Sequence, residues 1–593
     1  MIEFCSTNTK FKTPFGAVTE KTDVSFFVKT SEEVSGVTLV VNDVIANKLS
    51  EEPMKKSVGG FVIKRAFLEK GLYFYRFKLS QDEGIYRGEG GKGVVAENGA
   101  WFQQTVYSKK YKAPKGYTGG IFYQIFPDRF NIGRGGVLDP HFTDRKIHND
   151  LNDTPDFLPD ENGVVRNNDY FGGNLLGIEE KLDYLKSLGV TEIYLNPVCE
   201  SHANHRYNTA DYRKIDPLLG TEKDFKRLCV SARAKGIQII LDGVFSHTGD
   251  DSVYFNRYGR YDSVGACQSK TSPYHEWYKY DESRNDYVYW WGFPTLPEVE
   301  ETTPSFIEFI CGVGGVIDYW FSLGIDGVRL DVADELPDMF IAKVREAVKR
   351  NKKNAMLLGE VWEDASNKIS YGVQRAFLFG DELDSVMNYP FCEAILEFIR
   401  TANEKAFVEA VMTVRENYPK VMLDNMMNPI STHDTERAIN RLLFGRLENL
   451  DKASLFEKKI SSDEYLRGAE MVKLAFALMF TLPGIPCIYY GDEVGMTGFK
   501  DPFNRGFMKW QGGNENILDC VREIAGARKS FTAFSDGEIE FLLAENGAVA
   551  FLRKGKKETA LVAVNRGEQT VSINLPNGRT EEVAPWRYLI KKI

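Results

Sequence analysis

Eight short apolar runs alternate with amphipathic helical stretches through the middle of this 593-residue chain, and that alternation restricts the fold more than any other feature. The runs lie at 121–126, 192–196, 237–244, 327–331, 356–361, 385–388, 429–432 and 485–490. Successive strands joined through helices pair in parallel, because each crossover carries the chain back before the next strand begins. Eight such units predict an α/β fold, a closed (β/α)8 TIM barrel. The helical segments EEKLDYLKSLG and EKDFKRLCVSARAKG end on Gly189 and Gly236, residues suited to the left-handed turn past a helix C-terminus.

The flanks have a different texture. Residues 1–114 carry short β-rich runs (VSFFV, VTLVVN, FVIKRAFL, YFYRFKL) between Gly, Asp and Ser clusters, which predicts an antiparallel β-sandwich. The barrel is assigned to 115–511 and a C-terminal β-sandwich to 512–593, with a turn signal at Asn577 and Gly578. Residues 247–304 are too long for an ordinary βα loop and rich in Tyr, Trp and Pro, so they are read as a subdomain inserted after strand three.

Chemistry-bearing residues gather at the C-terminal ends of the predicted strands, the face where barrels build active sites. Asp242 and His247 follow strand three, Arg329 and Asp331 end strand four, Glu360 ends strand five, and His433 and Asp434 follow strand seven. Any one of these alone is more often a helix cap or a structural ion pair. Together they match glycosidic cleavage, in which one carboxyl protonates the departing oxygen and another attacks or stabilises an oxocarbenium-like sugar. Neighbouring strands about 4.8 Å apart would put Asp331 and Glu360 close enough for a retaining mechanism, with Asp331 the nucleophile and Glu360 the acid and base. Arg329, on the same strand face as Asp331, would hold that carboxylate ionised.

The segments DGVFSH, GVRLDVADE, GEVW and STHDT resemble, in order, four signature regions of the α-amylase family, glycoside hydrolase family 13. The likeness runs on through YQIFPDRF, YFGGNLLGI, HRYNTADYRKIDP, VMNYPF, GIPCIYYGDEVGM and DPFNRGFMKW. It implies the catalytic triad Asp331, Glu360 and Asp434, with Asp434 as transition-state stabiliser. It also implies substrate-binding roles for Tyr207, Asp242, His247, Arg329, Glu335, Trp362, His433 and Arg505. LPEVE at 296–300, the VADE carrying Glu335 and the N-terminal β domain resemble the neopullulanase, cyclomaltodextrinase and maltogenic amylase group. That group implies endo-acting hydrolysis of α-1,4 bonds, with α-1,6 bonds left open, in maltooligosaccharides, cyclodextrins, pullulan and starch. The same glycosyl intermediate passed to a sugar hydroxyl would make the chain a transglycosylase, and a third reading is an inactive amylase-like scaffold.

The resemblance also implies a calcium loop after strand one. Here that loop reads RFNIGRGGVLDP, with Arg134 where a hard cation wants oxygen, so no metal is expected to be required and Asn174 is the one surviving fragment. Glu298 and Glu363 replace residues usual in the group, which points to altered leaving-group contacts. Net charge is −10, without a long basic run, which argues against nucleic acid. The apolar stretch 474–490 is broken by Pro483, Gly484 and Pro486 and reads as core, so no membrane partner is expected. The N-terminus lacks a signal-peptide pattern, and eight scattered cysteines show no metal or disulfide spacing, so a reducing cytoplasm is expected. A homodimer through the N-terminal domain is the expected assembly.

Overall fold

The computed structural model describes residues 2–79, 83–134, 144–161 and 165–593. At its centre stand eight parallel strands: β1 Phe122–Ile125, β2 Glu192–Leu195, β3 Gln238–Gly243, β4 Gly327–Leu330, β5 Met356–Gly359, β6 Ser385–Val386, β7 Met427–Pro429 and β8 Ile485–Tyr489. They pair in the order β6-β5-β4-β3-β2-β1-β8-β7, and one parallel bridge between Met387 and Met427 closes the ring.

Period-two alternation explains how this barrel makes a site. Phe122, Tyr194, Ile240, Met356, Leu358, Met427 and Ile485 belong to one buried cluster filling the lumen. One step further along the same inward row lie Gln124, Asn196, Asp242 and Glu360, so the floor changes from apolar to polar at the strands' C-terminal ends. Paired registers, Asp242 with Arg329 and Leu330 with Gly359, bring Asp331 and Glu360 level. The Glu360 N–H donates to Leu330 O at 3.0 Å, which extends the ladder one residue into the site.

Strand seven was expected at 429–432 and is observed two residues earlier. Beyond Pro429 the backbone leaves the sheet: Thr432 N–H takes Thr435 Oγ1 at 2.9 Å instead of a neighbouring strand, which lifts His433 and Asp434 above the rim. The helix expected at 179–189 is two short ones, Leu175–Glu180 and Leu182–Ser187, meeting at Lys181. Helix α1, Glu222–Ala234, is as expected, opened by a reciprocal Thr221–Asp224 capping box and followed by Gly236 at φ +71°.

The N-terminal region forms two facing sheets, of five and seven strands, around an aromatic core that includes Phe4, Phe26, Tyr75, Phe77 and Phe102. It packs on α2, Glu404–Asn417, through Arg87–Glu409 at 2.8 Å and a fully buried Lys12–Glu416 pair at 3.7 Å. At the other end the boundary differs from the expected 512. Residues Glu515–Ser530 are helix α4, packed against α3, Ser462–Thr481. Its buried Arg528 donates to Gly120 O, Phe480 O and Gly484 O, and so pins α4 under the barrel. The C-terminal sheets therefore begin at Glu538, with four antiparallel strands and a separate pair joined through Gly578 at φ +81°.

The 474–490 stretch is buried helix running into β8, as read. One other segment, Pro304–Leu323, has the length and hydropathy of a membrane span, but residues 312–315 break it into two helices packed beside the barrel. All eight cysteines are free thiols.

Candidate active site

Arg329 is the hub of the rim. Fully buried, it places Nη1 2.8 Å from Asp331 Oδ1 and 2.7 Å from Asp242 Oδ1, while Nη2 lies 2.8 Å from Glu360 Oε2. A planar fork reaches carboxylates on three adjacent strands without bending, which a flexible ammonium would not do with one geometry. Val332, just after Asp331, is a β-branched residue at φ +39°, a strained backbone. That twist aims its N–H at Glu360 Oε2, 2.8 Å away.

A second network braces the opposite wall. Tyr194 and Tyr207 hydroxyls donate to Asp242 Oδ2 at 2.7 and 2.8 Å. Gln124 Nε2 faces Asn196 Oδ1 at 3.0 Å and His433 Nδ1 at 2.8 Å. Amide nitrogen only donates, so His433 Nδ1 accepts and Nε2 carries the proton, directed at Asp434 Oδ2 3.0 Å away and at the Tyr207 oxygen. Arg505 reaches Asp434 Oδ1 at 3.4 Å and donates to His433 O at 2.9 Å. Asn504 adds donations to the carbonyls of His433 and Thr435, both at 2.7 Å, which fix the loop carrying Asp434.

The electrostatics separate the three acids. Burial pushes Asp331 well up and Glu360 up to about 7, against the lowering effect of Arg329; contrary to expectation, Arg329 does not offset the burial of Asp331, and the coupled pair holds a proton near neutrality. Burial opposes ionisation of Asp434 as well, but His433, Arg505 and Arg329 outweigh it and hold this acid well below the usual carboxylate range. His247 is pushed down to about 4 by burial and is neutral at ordinary pH.

The inserted subdomain closes one side. His247 Nδ1 lies 2.9 Å from Ser246 Oγ, its ring lies 5.0 Å from Trp290, and Nε2 has no partner among the described residues. Trp290 and Trp291 both donate indole N–H to Glu335, at 2.6 and 2.9 Å. Trp362 stacks on Tyr389, ring centres 4.1 Å apart, and leaves its outer face exposed.

The eleven catalytic and substrate-binding candidates thus fall in one rim and its wall. Sequence reasoning missed Tyr194, Gln124, Asn196 and Asn504. Gln124 and Asn196 carried a readable signal, a polar residue two positions past an inward apolar one on a strand; Tyr194, itself in the lumen row, and Asn504 carried none. The calcium-loop expectation falls partly on residues 135–140, outside the described residues. Of what is described, Asn174 Oδ1 already accepts from Gly177 N–H at 2.8 Å and Gly133 N–H at 3.1 Å while capping its helix, and Arg134 is exposed. That donor set does not fit a hard cation, and no step below is routed through one.

The α-amylase catalytic domain family matches residues 124–536. The chain belongs to the α-amylase family. It is 34% identical to an amylopullulanase of Thermoanaerobacterium saccharolyticum over 95% of this chain but only 48% of that protein. The chain thus spans about half the length, or less, of the amylopullulanases it matches. Neopullulanase 2 of Thermoactinomyces vulgaris is 31% identical over 85% of this chain and 80% of its own. Among solved structures, the cyclic α-maltosyl-(1→6)-maltose hydrolase of Arthrobacter globiformis is 30% identical, with TM-score 0.67 over 81% of this chain and 100% of that one. The type III pullulan hydrolase of Thermococcus kodakarensis gives 27% identity and TM-score 0.69 over 100% of both chains.

Proposed function

We propose that this chain is a retaining glycoside hydrolase that cuts α-glucosidic bonds in short or cyclic α-glucans, α-1,4 bonds foremost. The observation that carries the reading is the Arg329 fork, which holds Asp331 and Glu360 on neighbouring strands at the same height. Carboxyls one strand spacing apart, roughly 5 Å, leave no room for a water between them and suit a covalent intermediate. Asp331 attacks the anomeric carbon as Glu360 gives its proton to the departing oxygen. Glu360 then takes a proton from the water that releases the sugar from Asp331. Asp434, ionised and partly exposed, accepts hydrogen bonds from sugar hydroxyls that strengthen as positive charge grows on the ring. Neutral His247 offers its free Nε2 to the same sugar.

Names borne by relatives, among them amylopullulanase, cyclomaltodextrinase and neopullulanase, support the substrate class. The test is proton NMR of the first products from a maltooligosaccharide, where the α-anomer is expected and immediate β-anomer would overturn the mechanism. Digests of pullulan, β-cyclodextrin and soluble starch side by side assign bond preference, and runs at high maltose read any transfer to sugar hydroxyls.

The raised Glu360 sets a pH limb. A general acid must be protonated to act, so kcat/KM is expected to fall as pH rises through about 7, while ionised Asp434 imposes no limb at mildly acid pH. A rate still climbing at pH 9 would contradict the assignment. Activity and melting temperature are expected to survive a chelator, since stabilisation by a metal is lost only where one is bound; a large fall with EDTA, restored by calcium, would show a site outside the donor set above. The N-terminal sandwich already braces its own barrel through α2, and we assign its outer face to a homodimer that narrows access for long polymers. Light scattering that reports a monomer would exclude that assembly.

A further inference from the structure

Among the described residues every barrel strand except β5 is followed by at least one helix. Residues 360–384, which run from Glu360 to β6, hold only a small hairpin, Ile369–Ser370 against Val373–Gln374. A connection without a helix has few main-chain partners of its own, so its buried polar groups must be answered from elsewhere. The N-terminal region answers several of them. Ser108 N–H donates to Phe379 O at 2.9 Å, and the Tyr111 hydroxyl donates to Asp384 O at 3.2 Å.

The contact nearest the chemistry is made by Gln103, on the sandwich strand Phe102–Tyr107. The side chain is buried and both sides of its amide are used. Nε2 donates to Ser366 Oγ at 2.8 Å and to Thr105 Oγ1 at 3.0 Å, while Oε1 accepts from Asn367 Nδ2 at 2.8 Å. Ser366, also buried, passes the contact on, because its Oγ and its backbone N–H both donate to Asp364 Oδ1. The other Asp364 oxygen accepts from Asn417 Nδ2 at 3.2 Å, and Ala365 N–H donates to the Tyr418 hydroxyl at 2.7 Å, both at the C-terminal end of α2.

Little chain separates that anchorage from Glu360. The Glu360 N–H is tied to the sheet at Leu330 O, and among the described residues the N–H groups of 361–363 find no main-chain acceptor. The path of this stretch, which carries Trp362 onto Tyr389, is therefore set at its two ends, by β5 before it and by residues 364–367 after it. Arg329 and the Val332 N–H hold Glu360 through Oε2, but a shift in the backbone that follows would move the carboxyl against both. A general acid acts only within hydrogen-bond reach of the departing oxygen, so such a shift costs proton transfer first. We propose that Gln103 is a positioning residue for Glu360, through which the N-terminal sandwich gives the fifth barrel unit the support that helices give the others. It rests on the reading of Glu360 as the general acid given above.

The test uses the full chain and a pair of substrates that differ in their need for a proton. For Gln103→Leu, kcat on maltopentaose is expected to fall about tenfold at nearly unchanged KM, while kcat/KM on dinitrophenyl α-maltoside, whose phenolate leaves unaided, changes by no more than about twofold. Partial unfolding would lower both rates together, so their ratio separates positioning from stability. Ser366→Ala, made from the barrel side, is expected to give the same selective loss, and the double variant no more than either single change, because both remove one contact. Equal loss on the two substrates, no loss on either, or additive losses in the double variant would overturn the role of Gln103. Glu360→Gln measured alongside keeps the two readings apart. If it does not discriminate between the substrates, the acid assignment falls and the proposal with it; if it does and Gln103→Leu does not, only the positioning role falls.

Discussion

Asp331→Asn protein is expected to lose about 10⁴-fold or more in turnover while remaining folded, the scale seen when a nucleophile is removed from an enzyme that works through a covalent intermediate. The amide occupies the same volume beside Arg329 but has no lone pair basic enough to attack the anomeric carbon. Glu360→Gln is expected to differ in kind. It removes the proton donor, a loss of about 10²–10⁴-fold on ordinary glucans. On an aryl glycoside, whose phenolate leaves without help, the first step survives and the intermediate on Asp331 accumulates. A mass increase of one glycosyl group on Glu360→Gln protein, absent from Asp331→Asn, would fix both roles together. Near-normal turnover by purified Asp331→Asn protein would remove Asp331 from the mechanism.

Arg329→Met is expected to cost stability as well as activity, by about 3–5 kcal/mol, because it strips the cation from buried carboxylates. Asp331, Asp242 and Glu360 all lie within 2.8 Å of that guanidinium. The loss should depend on pH with a definite sign. Asp331 and Glu360 already have folded-state values raised by burial, and removing Arg329 takes away their main lowering influence. A carboxyl whose folded value lies above its unfolded one binds more protons folded than unfolded, so stability falls as pH rises from about 4 through the folded value. The variant should therefore lie nearest the unaltered protein at acid pH and furthest from it above neutrality. Equal denaturation midpoints for the two proteins at pH 5 and pH 8 would show that the fork carries no net stability.

What could be read in advance follows from the reach of each signal. Strand and helix periods are local, so the eight strands, the order of domains and the acids at strand ends were all legible in the linear sequence. The edges were less so. Strand seven stops at Pro429 because the next backbone groups find side chains instead of a neighbouring strand, and the helix at Glu515–Ser530 was hidden behind a turn-rich stretch that resembled a domain boundary.

The sequence by itself therefore determined the barrel and marked Asp331 and Glu360 as inward, because alternation along a strand dictates which side chains face inward; Asp434, beyond the end of strand seven, was marked by its place after the strand and by the family resemblance. Only the tertiary structure decided how those acids differ. One guanidinium is shared among Asp331, Asp242 and Glu360, and His433 and Arg505 hold Asp434 ionised. Glu335 meets two indoles from residues 44 and 45 positions away. Such contacts depend on loop paths and on residues at positive φ, such as Val332, Trp291 and Tyr371, whose conformations oppose local preference and are imposed by the packing around them.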